Sequence, residues 1–165
     1  MTIIGIDPGL QGAICVMEDC LFPVLIDTPT YKENRGKKIK NIYDIIKIRD
    51  FISFHSKDKQ NTIVYLEKQQ PMKGQGVTSM FSTGLGYGMY QGLLSGLKIR
   101  YELIHSKTWH KTMGFVSKDP KGQAYSIALR LFPTSELCTP RGKVLDGRCD
   151  ALLIAEYGRR IQSGT

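Results

Sequence analysis

The sequence predicts an α/β domain in which a mixed five-stranded sheet carries helices on both faces. Two observations lead to this fold class. The first part of the chain contains three short strand-like segments joined by tight turns, which favours an antiparallel meander. The rest alternates helical and strand-like segments, as expected for parallel strands added to that meander. With 165 residues, 41% of them hydrophobic, and no repeat or linker, residues 1–165 are predicted to form one domain.

The first half of the chain supplies the meander and the first helix. Its predicted strands are Thr2–Asp7, Ala13–Met17 and Leu21–Ile26. The polar and basic stretch Thr30–Lys40 is predicted to be an exposed loop. Isoleucines recurring at helical spacing predict a helix from Asn41 to about Ser56.

The second half predicts two further strands and four helices. The segment Thr62–Glu67 is a buried strand that ends on a carboxylate, and a Gly/Gln-rich loop, Gln69–Val77, follows it. Five glycines interrupt the predicted helix Thr78–Leu97, which suggests close packing against another backbone. The remaining predicted elements are a strand Ile99–Ile104 and helices Ser106–Met113, Pro120–Pro133 and Asp146–Ile161.

Charge and cysteine usage narrow the class of protein. The chain has 23 basic and 15 acidic residues, so its net charge is +8, which suggests a polyanionic partner without requiring one. Cys15, Cys20, Cys138 and Cys149 show no zinc-site spacing, and the three histidines are scattered. The cysteines are therefore expected to be reduced thiols in a reducing compartment. No segment is long and apolar enough to cross a membrane, and because a strand-like pattern begins at Thr2, these residues are expected to include no targeting segment.

Four carboxylates fall at positions suited to a metal site. Asp7 and Glu67 each end a hydrophobic strand, while Asp146 and Asp150 lie four residues apart at the start of the last helix, on one face. Hard divalent cations prefer oxygen ligands that converge from rigid elements. Two such ions about 3.5–4 Å apart can activate water and stabilise the leaving oxygen in phosphodiester hydrolysis. Without these four acids, 11 acidic residues face 23 basic ones, so the surrounding surface carries +12.

Each carboxylate also has an ordinary structural explanation. Asp7 precedes Pro-Gly and is suited to an Asx-turn, and Glu67 can pair with Lys68 or with solvent. Asp146 is suited to capping the last helix, and Asp150 to interacting with the helix dipole. The spacing of the four acids alone therefore leaves several classes of metal enzyme open.

The motifs around these acids resemble the RuvC family of Holliday junction resolvases. The resemblance rests on Ile4-Gly5-Ile6-Asp7-Pro8-Gly9, Leu66-Glu67 and the run from Asp146 to Ala155, DGRCDALLIA. The segments GQGV (74–77), GLGYG (84–88), TWHK (108–111) and LFP (131–133) look most like the phage-borne and plastid branches. The similarity extends over nearly the whole chain.

The resemblance implies an RNase H-like fold, a homodimer and two symmetric nicks in a four-way DNA junction. It implies Asp7, Glu67 and Asp150 as catalytic metal ligands, with Asp146 as the fourth. Many relatives have the fourth ligand three residues before the last Asp, where this chain has Gly147. The expected cofactor is Mg²⁺, two ions per site, with Mn²⁺ as a substitute and no small-molecule cofactor. The products would carry 5′-phosphate and 3′-hydroxyl ends. A cytoplasmic location is expected, or an organelle stroma or matrix if a transit peptide was removed.

Several residues are candidates for contacts with DNA. Lys111 and Lys121 match basic positions of the family near the scissile phosphate, and Lys118 is a further candidate. Lys73 and Gln75 lie in the loop that follows Glu67. Residues of three other regions have two readings that the sequence leaves open. Phe81 and Tyr87 are suited to stacking on unpaired bases or to core packing, and Trp109 to core packing or to anchoring a helix. Residues 30–40 are expected either to hold a DNA arm or to be a solvated loop.

Three other functions compete with a junction resolvase. One is another RNase H-like nuclease that cuts RNA–DNA hybrids or duplex DNA. A second is an actin- or sugar-kinase-type ATPase, which shares the Gly5–Gly9 turn but needs two lobes. A third is a junction-binding protein without catalysis, which would not need all four acids. The helix Thr78–Leu97 is expected to form part of the dimer interface. The preferred cleavage dinucleotide and a helicase partner cannot be inferred from these residues.

Overall fold

The sheet has two antiparallel and two parallel strand pairings. The computed structural model describes residues 1–18, 22–36, 38–71, 74–116 and 119–164. Five strands form the main sheet in the order β3-β2-β1-β6-β7: β1 Thr2–Asp7, β2 Ala13–Glu18, β3 Val24–Asp27, β6 Thr62–Glu67 and β7 Arg100–Ile104. β2 pairs antiparallel with β1 and β3, whereas β6 pairs parallel with β1 and β7. The predicted meander followed by parallel strands is confirmed.

Helices cover both faces of this sheet, as predicted. They are α1 Ile45–His55, α2 Val77–Gly96, α3 Ser106–Thr112, α4 Pro120–Leu131 and α5 Asp146–Ser163. One core contains Ile63 and Tyr65 of β6 together with buried residues of α3, α4 and α5. A second core contains the intervening residues Val64 and Leu66 together with residues of α1 and α2. The alternation arises because successive strand side chains point to opposite faces.

Helix α5 packs against the central strands of the sheet. Ala151–Gly158 are all buried. A Cβ atom at Gly5 of β1 would overlap the backbone of Ala151 and Ala155, so only glycine lets the helix approach the strand this closely. This contact places the start of α5 beside the end of β1.

The region between β3 and α1 differs from the prediction. The expected loop Thr30–Lys40 is instead an antiparallel hairpin, formed by β4 Thr30–Arg35 and β5 Lys38–Tyr43. Consequently the expected helix from Asn41 begins only at Ile45. Asp44 caps it, with its Oδ1 accepting a hydrogen bond of 3.1 Å from the Lys47 amide. The third strand begins at Val24 in the described residues, while Leu21 lies outside them.

The glycines of α2 do not pack as predicted. Gly86 alone of the five approaches another part of the chain, where a Cβ would overlap the Tyr43 hydroxyl. A Cβ at Gly84, Gly88, Gly92 or Gly96 would meet no atom within 4 Å of the described chain. Close packing within the fold therefore explains only Gly86. None of the described helices is long and apolar enough to cross a membrane.

Candidate active site

The parallel pairing of β1 and β6 brings two acidic residues to one edge of the sheet. Ile6 lies opposite Leu66 in this pairing, and the residues that follow them are Asp7 and Glu67. Asp7 is only partly buried. Its Oδ1 accepts a hydrogen bond from the Gly9 amide at 3.4 Å, so the Asx-turn contact is present but long.

Helix α5 supplies the other two acids. Asp146 is its first residue, and Asp150 follows one turn later on the same side. The N-cap is Leu145, which makes no side-chain capping bond, so the helix-capping explanation for Asp146 is wrong. Asp7, Asp146 and Asp150 line one cleft of about 480 Å³, together with Lys121 of α4.

Burial and repulsion from neighbouring carboxylates perturb the carboxyl groups of Asp7 and Asp150. Burial first, and repulsion from Glu67 second, raise the pKa of Asp7 to about 7. Burial raises the pKa of Asp150 well above its usual range, and repulsion from Asp7, Glu67 and Asp146 adds to this effect. The site therefore crowds carboxyl groups whose ionisation is unfavourable, and Lys121 offsets this only in part.

Two hydrogen bonds fix the orientation of the Glu67 carboxylate. It does not line the cleft itself. The indole Nε1–H of Trp109 donates to Oε1 at 3.0 Å, and the Gln69 amide donates to Oε2 at 3.0 Å. Burial raises the pKa of Glu67, while these two bonds act in the opposite direction. Trp109 is a core residue, as predicted, but its second role as a positioning residue for Glu67 was not.

Lys121 of α4 forms an ion pair with Asp146. Lys121 Nζ lies 3.0 Å from Asp146 Oδ2, and this hydrogen bond raises the pKa of Lys121. Both side chains are well exposed, so the pair is easily rearranged. Lys143 also lines the cleft. Nothing in the sequence distinguishes Lys143 from the other basic residues.

An ion pair between Arg148 and Asp27 holds the start of α5 against the sheet. Arg148 donates two hydrogen bonds to Asp27 at the end of β3, at 2.6 and 3.1 Å, and a third of 3.0 Å to the Glu136 carbonyl. Arg148 lies between the two acids of α5, so this bidentate contact ties both to the sheet. Position 27 ends a strand as position 7 does, which is the signal that could have identified it.

The shape of the α5 terminus explains why position 147 carries no ligand. A Cβ atom at Gly147 would overlap the Gln11 carbonyl oxygen and the backbone of Gly12. The turn after β1 thus packs directly on the first turn of α5. In this chain an acidic residue fits at position 146 but not at position 147.

The donor set fits hard divalent cations. As placed, no group of three or more His, Cys, Asp or Glu side chains within the described ranges forms a metal cluster. The nearby groups are nevertheless oxygen ligands. Repulsion from neighbouring carboxylates adds to burial in raising the pKa of Asp7 and of Asp150, whereas burial alone raises the pKa of Glu67. Such repulsion keeps carboxylates apart until a cation neutralises them.

The proposed DNA-contacting residues have different surroundings. Lys111 is exposed on α3 and does not line the cleft. Gln75 and Tyr87 line a separate groove of about 190 Å³ beside Gln69. Tyr87 also packs against the core, whereas Phe81 is 72% exposed, which excludes core packing for Phe81. Lys73 and Lys118 lie outside the described residues, as does Cys20.

Solved structures similar to this chain share its fold. T. thermophilus RuvC in complex with Holliday junction substrate aligns with a TM-score of 0.59 and 13% identity, covering 100% of this chain and 98% of the other. A second Thermus thermophilus RuvC structure aligns with a TM-score of 0.56 and 12% identity, covering 98% and 97%. No family model matches the sequence, and no curated protein matches it. The shared fold is the RNase H-like fold.

Proposed function

We propose that this chain is a divalent-metal-dependent endodeoxyribonuclease that resolves four-way DNA junctions. The observation that carries the proposal is the crowding of Asp7, Glu67 and Asp150, with Asp146 at the rim, at one edge of an RNase H-like sheet. The fold similarity to RuvC, and the motifs from which the family was inferred, support the choice of substrate. The phage-borne and plastid branches remain the proposed affiliation.

The four acids would hold two Mg²⁺ ions, or Mn²⁺ in their place. When bound, such ions supply a water of lowered pKa and neutralise charge on the leaving 3′ oxygen. Trp109 and Gln69 orient the Glu67 carboxylate, and Arg148 fixes the helix that carries Asp146 and Asp150. Preorganised ligands of this kind lower the cost of assembling the site.

Two lysines of the cleft are suited to holding the substrate phosphate. Lys121 and Lys143 both line it. Lys121 is released from Asp146 if that carboxylate turns to a metal ion, and its ammonium group can then bind the phosphate. Lys111 is proposed to contact DNA beyond the cleft. Phe81, being exposed beside the loop that follows Glu67, is proposed to stack on an unpaired base.

Paired nicks require two active sites, and we propose that a homodimer supplies them. A C2 dimer matches the two-fold symmetry of a four-way junction. Leu85, Gly88 and Gly92 lie at positions i, i+3 and i+7 of α2, on one helix face. Leu85 is 55% exposed and both glycines face open space, so this face can receive a second copy of the helix at short distance. The proposed setting is the cytoplasm.

Asp7→Asn tests the proposed function. We expect Mg²⁺-dependent nicking of a four-way junction to fall by about a thousandfold or more, because the substitution removes a ligand charge. Junction binding should be retained, because repulsion of DNA phosphates decreases. Asp50→Asn is a matched control, since Asp50 is an exposed α1 residue paired with Arg49.

Parallel assays on a four-way junction, a plain duplex and an RNA–DNA hybrid identify the substrate. Faster cleavage of the hybrid than of the junction would contradict the proposed junction substrate. It would not contradict the proposed metal site. Full nicking activity in Asp7→Asn would contradict the catalytic assignment itself.

A further inference from the structure

The hairpin formed by β4 and β5 projects from the edge of the candidate active site. The Tyr43 hydroxyl at the base of the hairpin is buried and donates a hydrogen bond of 3.0 Å to the Pro8 carbonyl, one residue after Asp7. Thr30, its cross-strand partner, lines the same cleft as Asp146. The hairpin base is therefore attached to the turn that carries the first catalytic residue.

The two faces of the hairpin differ in charge. Thr30, Lys32 and Asn34 alternate on one face of β4, and the residues opposite them are Tyr43, Asn41 and Ile39. We call this the front face, because Thr30 on it lines the cleft and Tyr43 on it bonds to the turn after β1. It carries Lys32, Asn34 and Asn41, which are all exposed, and no acidic residue.

The opposite face, which we call the back face, contains the acidic residue of the hairpin. Glu33 lies directly opposite Lys40, and Arg35 lies opposite Lys38, so this face carries three basic residues and one acidic residue. Residues 30–43 include five basic residues and one acidic residue, so the hairpin carries a formal charge of +4. A basic, exposed ribbon with one face free of carboxylates is complementary to a polyanion.

The dimensions of the hairpin match duplex DNA. Six residues per strand extend about 20 Å. The major groove of B-DNA is about 12 Å wide and admits a two-stranded antiparallel ribbon.

We infer that the front face of the β4–β5 hairpin binds the duplex arm next to the scissile phosphate, with Lys32 on a phosphate and Asn34 and Asn41 in the groove. The inference rests on the proposed function, since it takes DNA as the substrate. It adds a duplex-binding element outside the cleft that positions the arm relative to Asp7.

Two hairpin variants test whether DNA affinity depends on one face of the hairpin or only on the number of positive charges. The front-face variant, Lys32→Ala/Asn34→Ala/Asn41→Ala, removes one charge, whereas the back-face variant, Lys38→Ala/Lys40→Ala, removes two. Binding to a four-way junction and to a plain duplex is measured by fluorescence anisotropy in EDTA, so that no strand is cut. We expect the front-face variant to bind both about tenfold more weakly, with a salt-dependence slope lower by about one. The back-face variant should stay within about twofold of the wild type.

Three results would overturn the inference. They are a larger loss in the back-face variant than in the front-face variant, wild-type affinity of the front-face variant, and gel-filtration evidence that the front-face variant instead loses self-association. If the triple variant does not fold, Lys32→Ala alone replaces it, with Lys40→Ala as its matched control and Lys32→Arg as the variant that should restore affinity. Failure of the proposed function is a separate result, namely wild-type protein that binds the duplex through this face but does not nick a junction.

Discussion

Helices α5 and α2 are both long and both interrupted by glycines, yet the surroundings of those glycines are opposite. In α5, a Cβ at Gly147 would overlap the backbone of the turn after β1, and a Cβ at Gly158 would overlap the Tyr65 ring. In α2, a Cβ at Gly88 or Gly92 would meet nothing within 4 Å of the described chain. Glycine in α5 therefore permits contact within the fold, whereas most glycines in α2 leave room for something outside it.

The two helices also differ in charge. α5 carries Asp146 and Asp150 into the cleft and includes a buried Glu156, which Arg159 and Arg160 neutralise through ion pairs of 2.6 and 2.9 Å. α2 contains no charged residue. Close packing of α5 on the sheet is what forces its carboxylates near those of β1 and β6. Helix α5 therefore supplies two carboxylates of the candidate site, whereas α2 supplies none.

The largest expected effect concerns the pH dependence of the metal-free protein. The pKa of Asp7 is raised from 3.8 to about 7, so the folded state binds more protons than the unfolded state between these values. The contribution of Asp7 to stability must then fall as pH rises from about 4 to 7 and level off above that range. At about 1.4 kcal/mol per pKa unit, we expect a loss of about 2–4 kcal/mol.

Urea unfolding in EDTA across this pH range measures that loss. Asp7→Asn should flatten the profile and stabilise the metal-free protein near neutral pH, whereas Asp50→Asn should leave the profile unchanged. A difference in stability between the wild type and Asp7→Asn that does not change from pH 4 to 7 would contradict the raised pKa of Asp7.

The next effect is steric. Gly147→Ala should destabilise the protein by about 1–3 kcal/mol, because its Cβ would meet backbone atoms that cannot rotate away. Nicking should decrease as well, since Asp146 and Asp150 move with the helix. Gly92→Ala is the matched control on α2. Equal unfolding midpoints in urea for both variants would remove the distinction between the two helices.

The smallest effect distinguishes the proposed dimer interface from a merely exposed helix. Gly88→Ala should stabilise the folded chain by about 0.5–1 kcal/mol, since alanine favours a helix and meets no neighbour. If α2 pairs with a second copy, the same methyl group should weaken self-association in sedimentation equilibrium. Increased thermal stability with unchanged self-association would argue against α2 as the interface.

Particular residues show which parts of the candidate site could be predicted from the sequence. Asp7 and Glu67 were predicted because each ends a strongly hydrophobic strand, and parallel pairing then brings them to one edge. The spacing of Asp146 and Asp150 was enough to place them on one helix face. The Trp109–Glu67 bond and the Arg148–Asp27 pair were not predictable, because the partners are 42 and 121 residues apart and only packing brings them together.

The sequence by itself predicted the five strands of the main sheet, the five helices and the four candidate acids, because hydrophobic periodicity and strand-end positions are local properties. Only the tertiary structure decided that residues 30–43 form a hairpin, since strand pairing depends on cross-strand partners rather than on local polarity. It also decided which glycines are packed, because the residue type alone does not distinguish the glycines of α5 from those of α2. What surrounds each one depends on the approach of distant backbone.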